Sequence, residues 1–375
     1  MYERPLGPVI MPLEHTSPTR NEELRECFLR TAFQSDQHFS NIRFPSTYAS
    51  LGSIAHKLME LVAHGDFDGV SEEDLDKAIN KCWLELVQIE VYKFQDDVLS
   101  KVPEPVKWPK YALKMVASCK AASRIASQRQ QKLITLGAPS TELPKSEVWY
   151  EGYGGKLIGR IDFIRYTDSG MEIIDYKSGH VMQQGEIGGN TQQLLNGYKR
   201  QMLLYAALVH ENEGQWPITL IIESLIDGSH MIDYTPIASE KTVEEALLLL
   251  DLYNEQAATN EINGSPSEDN CRWCQYKALC TSFLGNADIS WNQPSATVVG
   301  RIVSTHLDPP AFLTLDISGG NYHREPINIR GIPSKIIPIL EERSNCLVSL
   351  GNLKPTFGAE DLCFMWNSTF WLWLD

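Results

Sequence analysis

Residues Gly159 to Gly179 read GRIDFIRYTDSGMEIIDYKSG, and this stretch constrains the chain more than any other. Ile161, Phe163 and Ile164 form one apolar run, and Ile173, Ile174 and Tyr176 form a second. Thr167-Asp168-Ser169-Gly170 between them is a turn cluster, so the pair predicts a β-hairpin. Asp162 lies on the first strand, and Asp175 and Lys177 lie on the second. Strand side chains alternate, so Asp175 and Lys177 share a face, and Asp162 can sit across from them. The apolar flanks of Asp175 predict burial, and buried charges are rarely left unpaired. Oxygen ligands grouped in this way suit a hard divalent cation. The alternative is a hairpin whose charged face is simply solvated.

The chain has 375 residues, enough for two domains, and no apolar run of the ~20 residues that span a bilayer. The opening MYERPLGPVIMPLEHTSPTR lacks the long apolar core of a secretory signal, so a cytoplasmic location and no membrane association are expected. Eight cysteines in such a chain point to metal ligation or core packing, not to a disulfide framework. The net charge of −15 argues against a general nucleic-acid binder. The distribution of charge qualifies that reading. Pro105 to Thr141 holds no acid and seven bases: Lys107, Lys110, Lys114, Lys120, Arg124, Arg129 and Lys132. On a helix beginning near Pro109 these fall on one half of the wheel, opposite Met115, Cys119, Ala122, Ala126 and Leu133. Such a face can meet phosphates, or it can be an ordinary solvated face.

In chain order, residues 1–20 read as an irregular arm, and Asn21 to Phe33 as a helix with Cys27 on its apolar side. Leu51 to His64 reads as a helix carrying Gly52 and His56, and residues 71–100 as another. Glu147 to Tyr153 is a strand feeding the hairpin. Gly154-Gly155-Lys156 is not a phosphate-binding loop, because Leu157 stands where Ser or Thr is needed. Asn190 to His210 reads as a helix with Gln201 and Tyr205 one turn apart. Pro217 to Leu225 reads as a buried strand and Thr242 to Asn260 as a helix.

Cys271, Cys274 and Cys280 lie in CRWCQYKALC with C-x2-C-x5-C spacing. Three sulfurs in ten residues are a ligand set for zinc or an iron–sulfur cluster. Both want a fourth ligand, and Cys27, Cys82, Cys119, Cys346 and Cys363 are the candidates. From Ala296 the texture changes to short apolar runs separated by Pro, Gly and Asn. A small β-rich domain over 290–375 is expected, with a five-strand, OB-like barrel as one reading and a docking sandwich as the other.

The order of these motifs resembles the RecB-like branch of the PD-(D/E)XK nucleases. It runs Cys27, Gly52-x-x-x-His56, Gly159-x-x-Asp162, Asp175-x-Lys177, Gln201-x-x-x-Tyr205, then the three clustered cysteines. The match is close to the iron–sulfur members, among them AddB and the CRISPR-associated adaptation nucleases. The resemblance implies an α/β fold: a restriction-endonuclease-like core over 21–285, with a helical insert at about 52–140. It implies that His56, Asp162 and Asp175 bind catalytic Mg²⁺ or Mn²⁺. Lys177 would orient the attacking water or steady the phosphate, and Gln201 and Tyr205 would support it and position the DNA backbone. Cys27, Cys271, Cys274 and Cys280 would hold a 4Fe–4S cluster, with Zn²⁺ the alternative. Lys110, Lys114, Lys120, Arg124 and Arg129 would form a DNA-facing wall.

The expected activity is a metal-dependent deoxyribonuclease, an exonuclease or end-processing enzyme, acting on single-stranded DNA or free ends in repair or phage defence. Its rival is a non-catalytic DNA-binding or scaffold subunit. The sequence holds no helicase motif, so any motor partner would be a separate chain.

Overall fold

In the computed structural model, the described residues are 7–40, 47–95, 104–136, 144–177, 179–184, 192–224, 226–306, 308, 311–322, 326–332, 338, 340, 345–355, 363–365 and 371–373. The helices are α1 (Pro18–Glu26), α2 (Phe28–Ser35), α3 (Gln37–Ser40), α4 (Thr47–His64), α5 (Glu72–Gln95), α6 (Tyr111–Leu136), α7 (Asn196–Glu213), α8 (Pro236–Thr259), α9 (Glu268–Arg272) and α10 (Thr281–Asn286). The strands of the first part are β1 (Lys145–Gly152), β2 (Leu157–Thr167), β3 (Gly170–Lys177), β4 (Met182–Gln184), β5 (Gln192–Leu194), β6 (Thr219–Ser224) and β7 (Gly228–Ile232). Those of the second part are β8 (Ala296–His306), β9 (Phe312–Gly320), β10 (Ile327–Arg330), β11 (Leu347–Pro355), β12 (Cys363–Met365) and β13 (Trp371–Trp373).

The hairpin expected at residues 159–179 forms, with Asp168 and Ser169 as its turn. It is the centre of a five-stranded sheet ordered β1-β2-β3-β6-β7. β3 and β6 run parallel, because the chain crosses back through α7 between them. The other pairings are antiparallel. One sheet face, with Tyr150, Ile161, Ile173 and Ile222, packs on α7 and α8 through Met202, Leu204, Leu208 and Val243. The other, with Phe163, Ile174 and Tyr176, packs on α4, α5 and α6 through Leu58, Val62, Trp83 and Ile125. α8 starts on a Thr235 side-chain cap with Pro236 in its first turn, and ends on Asn260 at φ +56°. β4 and β5 form a separate two-stranded ribbon.

Several boundaries differ from the periodicity. The helix expected over Asn21 to Phe33 is two helices, because Cys27 is extended (φ −167°, ψ 114°) and caps both. The arm ends earlier than residue 20. Thr16 bridges to Leu157, Leu13 bonds Asn254, and α1 begins at Pro18. The helix expected from Asn190 starts at Asn196, after β5. The 71–100 helix is described over Glu72–Gln95. No helix among the described residues is long and apolar enough to cross a membrane.

The C-terminal part is a barrel. β8 pairs with β9, β9 with β10, β10 with β12 in parallel, β12 with β11, and β11 with β8. Those pairings close a five-strand ring, with β13 added beside β11. Val298, Ile302, Leu315, Ile327, Ile329, Val348 and Leu353 fill it. Gly320 (φ +106°) serves close approach, since a Cβ there would lie 2.1 Å from the Thr297 carbonyl oxygen. A ring of five antiparallel and parallel pairings is the barrel reading rather than the sandwich.

Candidate metal centre

Strand register sets the site. Gly152 pairs with Leu157, and five residues further along each strand Glu147 falls opposite Asp162. Phe163 pairs with Ile174, so the next step sets Asp162 opposite Asp175. Glu147, Asp162 and Asp175 therefore form a row across β1, β2 and β3. The row lies at a kink. Glu147 has φ +52°, a left-handed conformation uncommon outside glycine. Along β2, Ile161 packs in the α7–α8 cluster, whereas Phe163, two residues on, packs in the α4–α6 cluster. In an unbroken strand those two would share a face. The switch of face frees Asp162 to meet groups that a regular strand would hold on the opposite side.

Asp162 Oδ2 accepts a hydrogen bond from the Tyr176 backbone N–H (2.9 Å) and lies 3.5 Å from His56 Nδ1 on α4. Ligand atoms of His56, Glu147 and Asp162 lie within 4.8 Å of one another. Asp175 is buried, paired with Lys177 Nζ at 2.7 Å through Oδ2, and held by Gln201 Nε2 at 3.3 Å through Oδ1. Gln201 also donates to the Tyr205 hydroxyl (3.0 Å), and Lys177 Nζ sits 5.2 Å from the Tyr198 ring centre. The motif Gly159-x-x-Asp162 has a packing reason. A Cβ at Gly159 would lie 2.6 Å from Leu208 Cδ1 and 3.3 Å from Tyr205 Cε1, so glycine lets α7 seat Tyr205 and Gln201 against the sheet.

Burial, and then the charge of Asp175, hold the Asp162 carboxyl well above its usual range. Burial raises Glu147 as well, against the pull of Arg160. Burial lowers His56, leaving a neutral imidazole with a lone pair to offer. For Lys177 burial alone would lower the ammonium, but Asp175 and Asp162 outweigh it and raise the group. Burial and neighbouring carboxylates disfavour the charged forms of Asp162 and Glu147, and a divalent cation would offset both effects. The donor set of one imidazole and carboxylate oxygens fits such an ion.

Six residues of the expected site converge: His56, Asp162, Asp175, Lys177, Gln201 and, behind it, Tyr205. Glu147 was missed as a site residue. Its signal was the hairpin count through the Tyr153–Lys156 turn, which sets it against Asp162. Cys27, Cys271, Cys274 and Cys280 also meet, around a cavity of about 20 Å³. Cys82 and Cys119 belong instead to the α4–α6 core and Cys346 to the barrel, while the Cys363 side chain lies outside the described residues.

The basic wall does not form as one exposed face. Lys114 is buried at 1 % exposure, and burial pulls its ammonium down to about 8. Arg129 turns inward to Asp68 (2.9 and 3.0 Å) and to the Ala63 carbonyl (3.0 Å). Arg124 pairs with Glu223 at 2.9 Å. Lys110 precedes the helix at φ +63°, and Lys110 and Lys120 are exposed. Arg129 thus ties the insert to itself, and Arg124 ties it to β6. The Lys132 side chain lies outside the described residues.

A buried acid paired with lysine, beside two carboxylates on a three-strand row and a histidine from α4, makes a donor set that could hold a divalent cation next to an ammonium. The chain belongs to the PD-(D/E)XK nuclease superfamily, whose family model matches residues 15–281. Among solved structures, a provisionally named exonuclease from Eubacterium rectale is similar, at 11 % identity over 68 % of this chain and 85 % of that chain, with a TM-score of 0.35. No curated protein matches the sequence.

Proposed function

We propose that this nuclease-superfamily chain is a Mg²⁺- or Mn²⁺-dependent deoxyribonuclease acting at strand ends, of the iron–sulfur, RecB-like kind. The observation that carries the reading is the contact of the His56–Glu147–Asp162 group with the Asp175–Lys177 pair through the strand row. His56, Glu147 and Asp162 would hold the cation, with Asp175 beside Asp162 in the row as a further carboxylate. When bound, the ion lowers the pKa of water and clamps phosphate oxygens. Lys177 is a compact charge fixed by Asp175 and by the Tyr198 ring, and so is placed to orient water or steady the charge developing on phosphate. Gln201 keeps Asp175 oriented, and Tyr205 keeps Gln201 oriented. A scaffold subunit would have no use for a buried aspartate–lysine pair, which costs desolvation of both charges.

Four cysteines around one cavity support a 4Fe–4S cluster with Cys27 as the fourth ligand. Cys27 Sγ accepts from the Ser265 N–H and Cys280 Sγ from the Phe283 N–H, both at 3.4 Å. Burial pushes the Cys274 thiol up to about 12 and Cys280 up to about 11, so holding them as thiolates takes a bound positive centre. The cluster would tie α2 to the segment after α8 and so brace the sheet from outside it.

The test uses anaerobically purified protein, end-labelled single- and double-stranded DNA, and Mg²⁺ or Mn²⁺. Lys177→Ala is expected to lose roughly 10²- to 10⁴-fold in cleavage, the usual range for a proton-managing or charge-stabilising group. Equal cleavage by both proteins would refute the site.

A further inference from the structure

We infer that Trp149 and Arg160 form a platform beside the metal centre, on which the nucleotide next to the scissile phosphate of a single-stranded DNA end rests. This deepens the nuclease reading above and rests on it. Trp149 is 59 % exposed, a large apolar ring left in water on a strand of the central sheet. It pairs in register with Arg160 on β2. The two stand two positions beyond Glu147 and Asp162 on their strands, a distance of about 7 Å. Neighbours Val148 and Tyr150 pack in the α7–α8 cluster, so Trp149 points to the opposite side, toward α4. α4 confirms the side. Its Glu60, one turn after His56, lies 3.7 Å from Arg160 Nη2, and Arg160 Nε contacts Glu147. Ring, guanidinium and cation-binding group therefore open on one surface.

The chemistry of the pair selects the occupant. An exposed indole offers a flat face on which any base can stack, whatever its sequence. A guanidinium has five N–H donors, and Glu147 and Glu60 do not use them all, so a phosphate oxygen can be met as well. A paired base is already stacked within its duplex, whereas a single-stranded end presents its base freely. The pair thus favours a frayed or single-stranded end over an intact duplex. Trp273, also exposed, has the Arg272 guanidinium over its own ring and lies in the cysteine segment rather than in the acid row.

The experiment measures fluorescence anisotropy of a fluorescein-labelled thymidine oligonucleotide in Ca²⁺, and of probes carrying one abasic nucleotide at successive positions. Stacking on one aromatic is worth about 1–3 kcal/mol per base. Trp149→Ala should therefore weaken binding roughly 5- to 150-fold, and Trp149→Phe much less. One abasic position should weaken wild-type binding but not the Trp149→Ala variant. In cleavage, KM should rise more than kcat falls. Unchanged oligonucleotide affinity in Trp149→Ala, or equal sensitivity of both proteins to every abasic probe, would overturn the platform. A wild type that binds with this pattern but never cleaves would leave the platform standing and refute the nuclease reading instead.

Discussion

Asp162→Asn should stabilise the metal-free protein while removing its response to metal. Asp162 and Asp175 are neighbours across adjacent strands, and such neighbours have Cβ atoms about 5 Å apart. Two unit charges at that spacing repel by about 3 kcal/mol at the effective dielectric that suits protein sites. Lys177 attracts both carboxylates and returns part of that cost. The net gain from a neutral Asn is then on the order of 1–3 kcal/mol. The amide oxygen of Asn can still accept from the Tyr176 N–H, so the hydrogen bond at Oδ2 need not be lost. At about 2 °C per kcal/mol for a domain of this size, the melting temperature in EDTA should rise by roughly 2–6 °C.

The pH dependence supplies a second check. The folded state raises the Asp162 carboxyl above its ordinary range, so folding favours the protonated form. Stability from that proton is present at low pH and is lost as pH rises through the raised value. The advantage of Asp162→Asn should therefore vanish in acid and open toward neutral pH. Calorimetry in EDTA and in Mn²⁺ reads both parts. Wild type should gain about 2.7 kcal/mol at a metal concentration a hundredfold above Kd, and the variant should gain almost none. A variant less stable than wild type in EDTA at neutral pH, or one that keeps the full Mn²⁺ shift, would refute the reasoning.

Two further variants probe the parts that brace the site. Gly159→Ala brings a methyl within 2.6 Å of Leu208 and 3.3 Å of Tyr205, and should cost about 1–3 kcal/mol by calorimetry and lower kcat while Mn²⁺ affinity is kept. Cys27→Ser should lose the absorbance near the visible edge that marks iron–sulfur ligation, and with it the cross-link between residues 27 and 271–280, about 5 kcal/mol in chain-entropy models; full cluster content and an unchanged melting temperature would place the fourth ligand elsewhere.

Much of the centre was legible because it is local. Asp175, Lys177 and the turn at 167–170 lie within one hairpin, and strand alternation alone sets the Asp175–Lys177 pair on one face. Gln201 and Tyr205 are one helical turn apart, and the structure joins them by a hydrogen bond. What stayed hidden depends on geometry between elements. Counting register from the turn sets Glu147 against Asp162, but the kink at φ +52° that brings it into the candidate ligand group is not written in the residue type. The basic helix misled for a related reason. A helical wheel records which bases share a face, but not which acids approach that face. Asp68 claims Arg129, Glu223 claims Arg124, and the insert buries Lys114.

That reassignment changes where the enzyme must find its attraction for DNA. With Arg129 and Arg124 of α6 paired to Asp68 and Glu223, the centre and its rim carry Glu60, Glu147, Asp162 and the buried Asp175 against Lys57, Lys114, Arg160 and Lys177, and of the described wall residues only Lys110 and Lys120 remain exposed without such a pair. Such a surface, on a chain of net charge −15, repels a phosphate until cations arrive. Metal and substrate must then bind cooperatively: the acids that make DNA unwelcome in the metal-free protein are the same groups that the divalent ion neutralises. A site built in this way would be quiet toward nucleic acid when metal is scarce, and would draw substrate to the place where the ion is held. On the proposed platform, sequence-independent affinity would come from the ion and from stacking on an exposed ring rather than from a long basic groove, so it should depend on divalent metal more steeply than on monovalent salt.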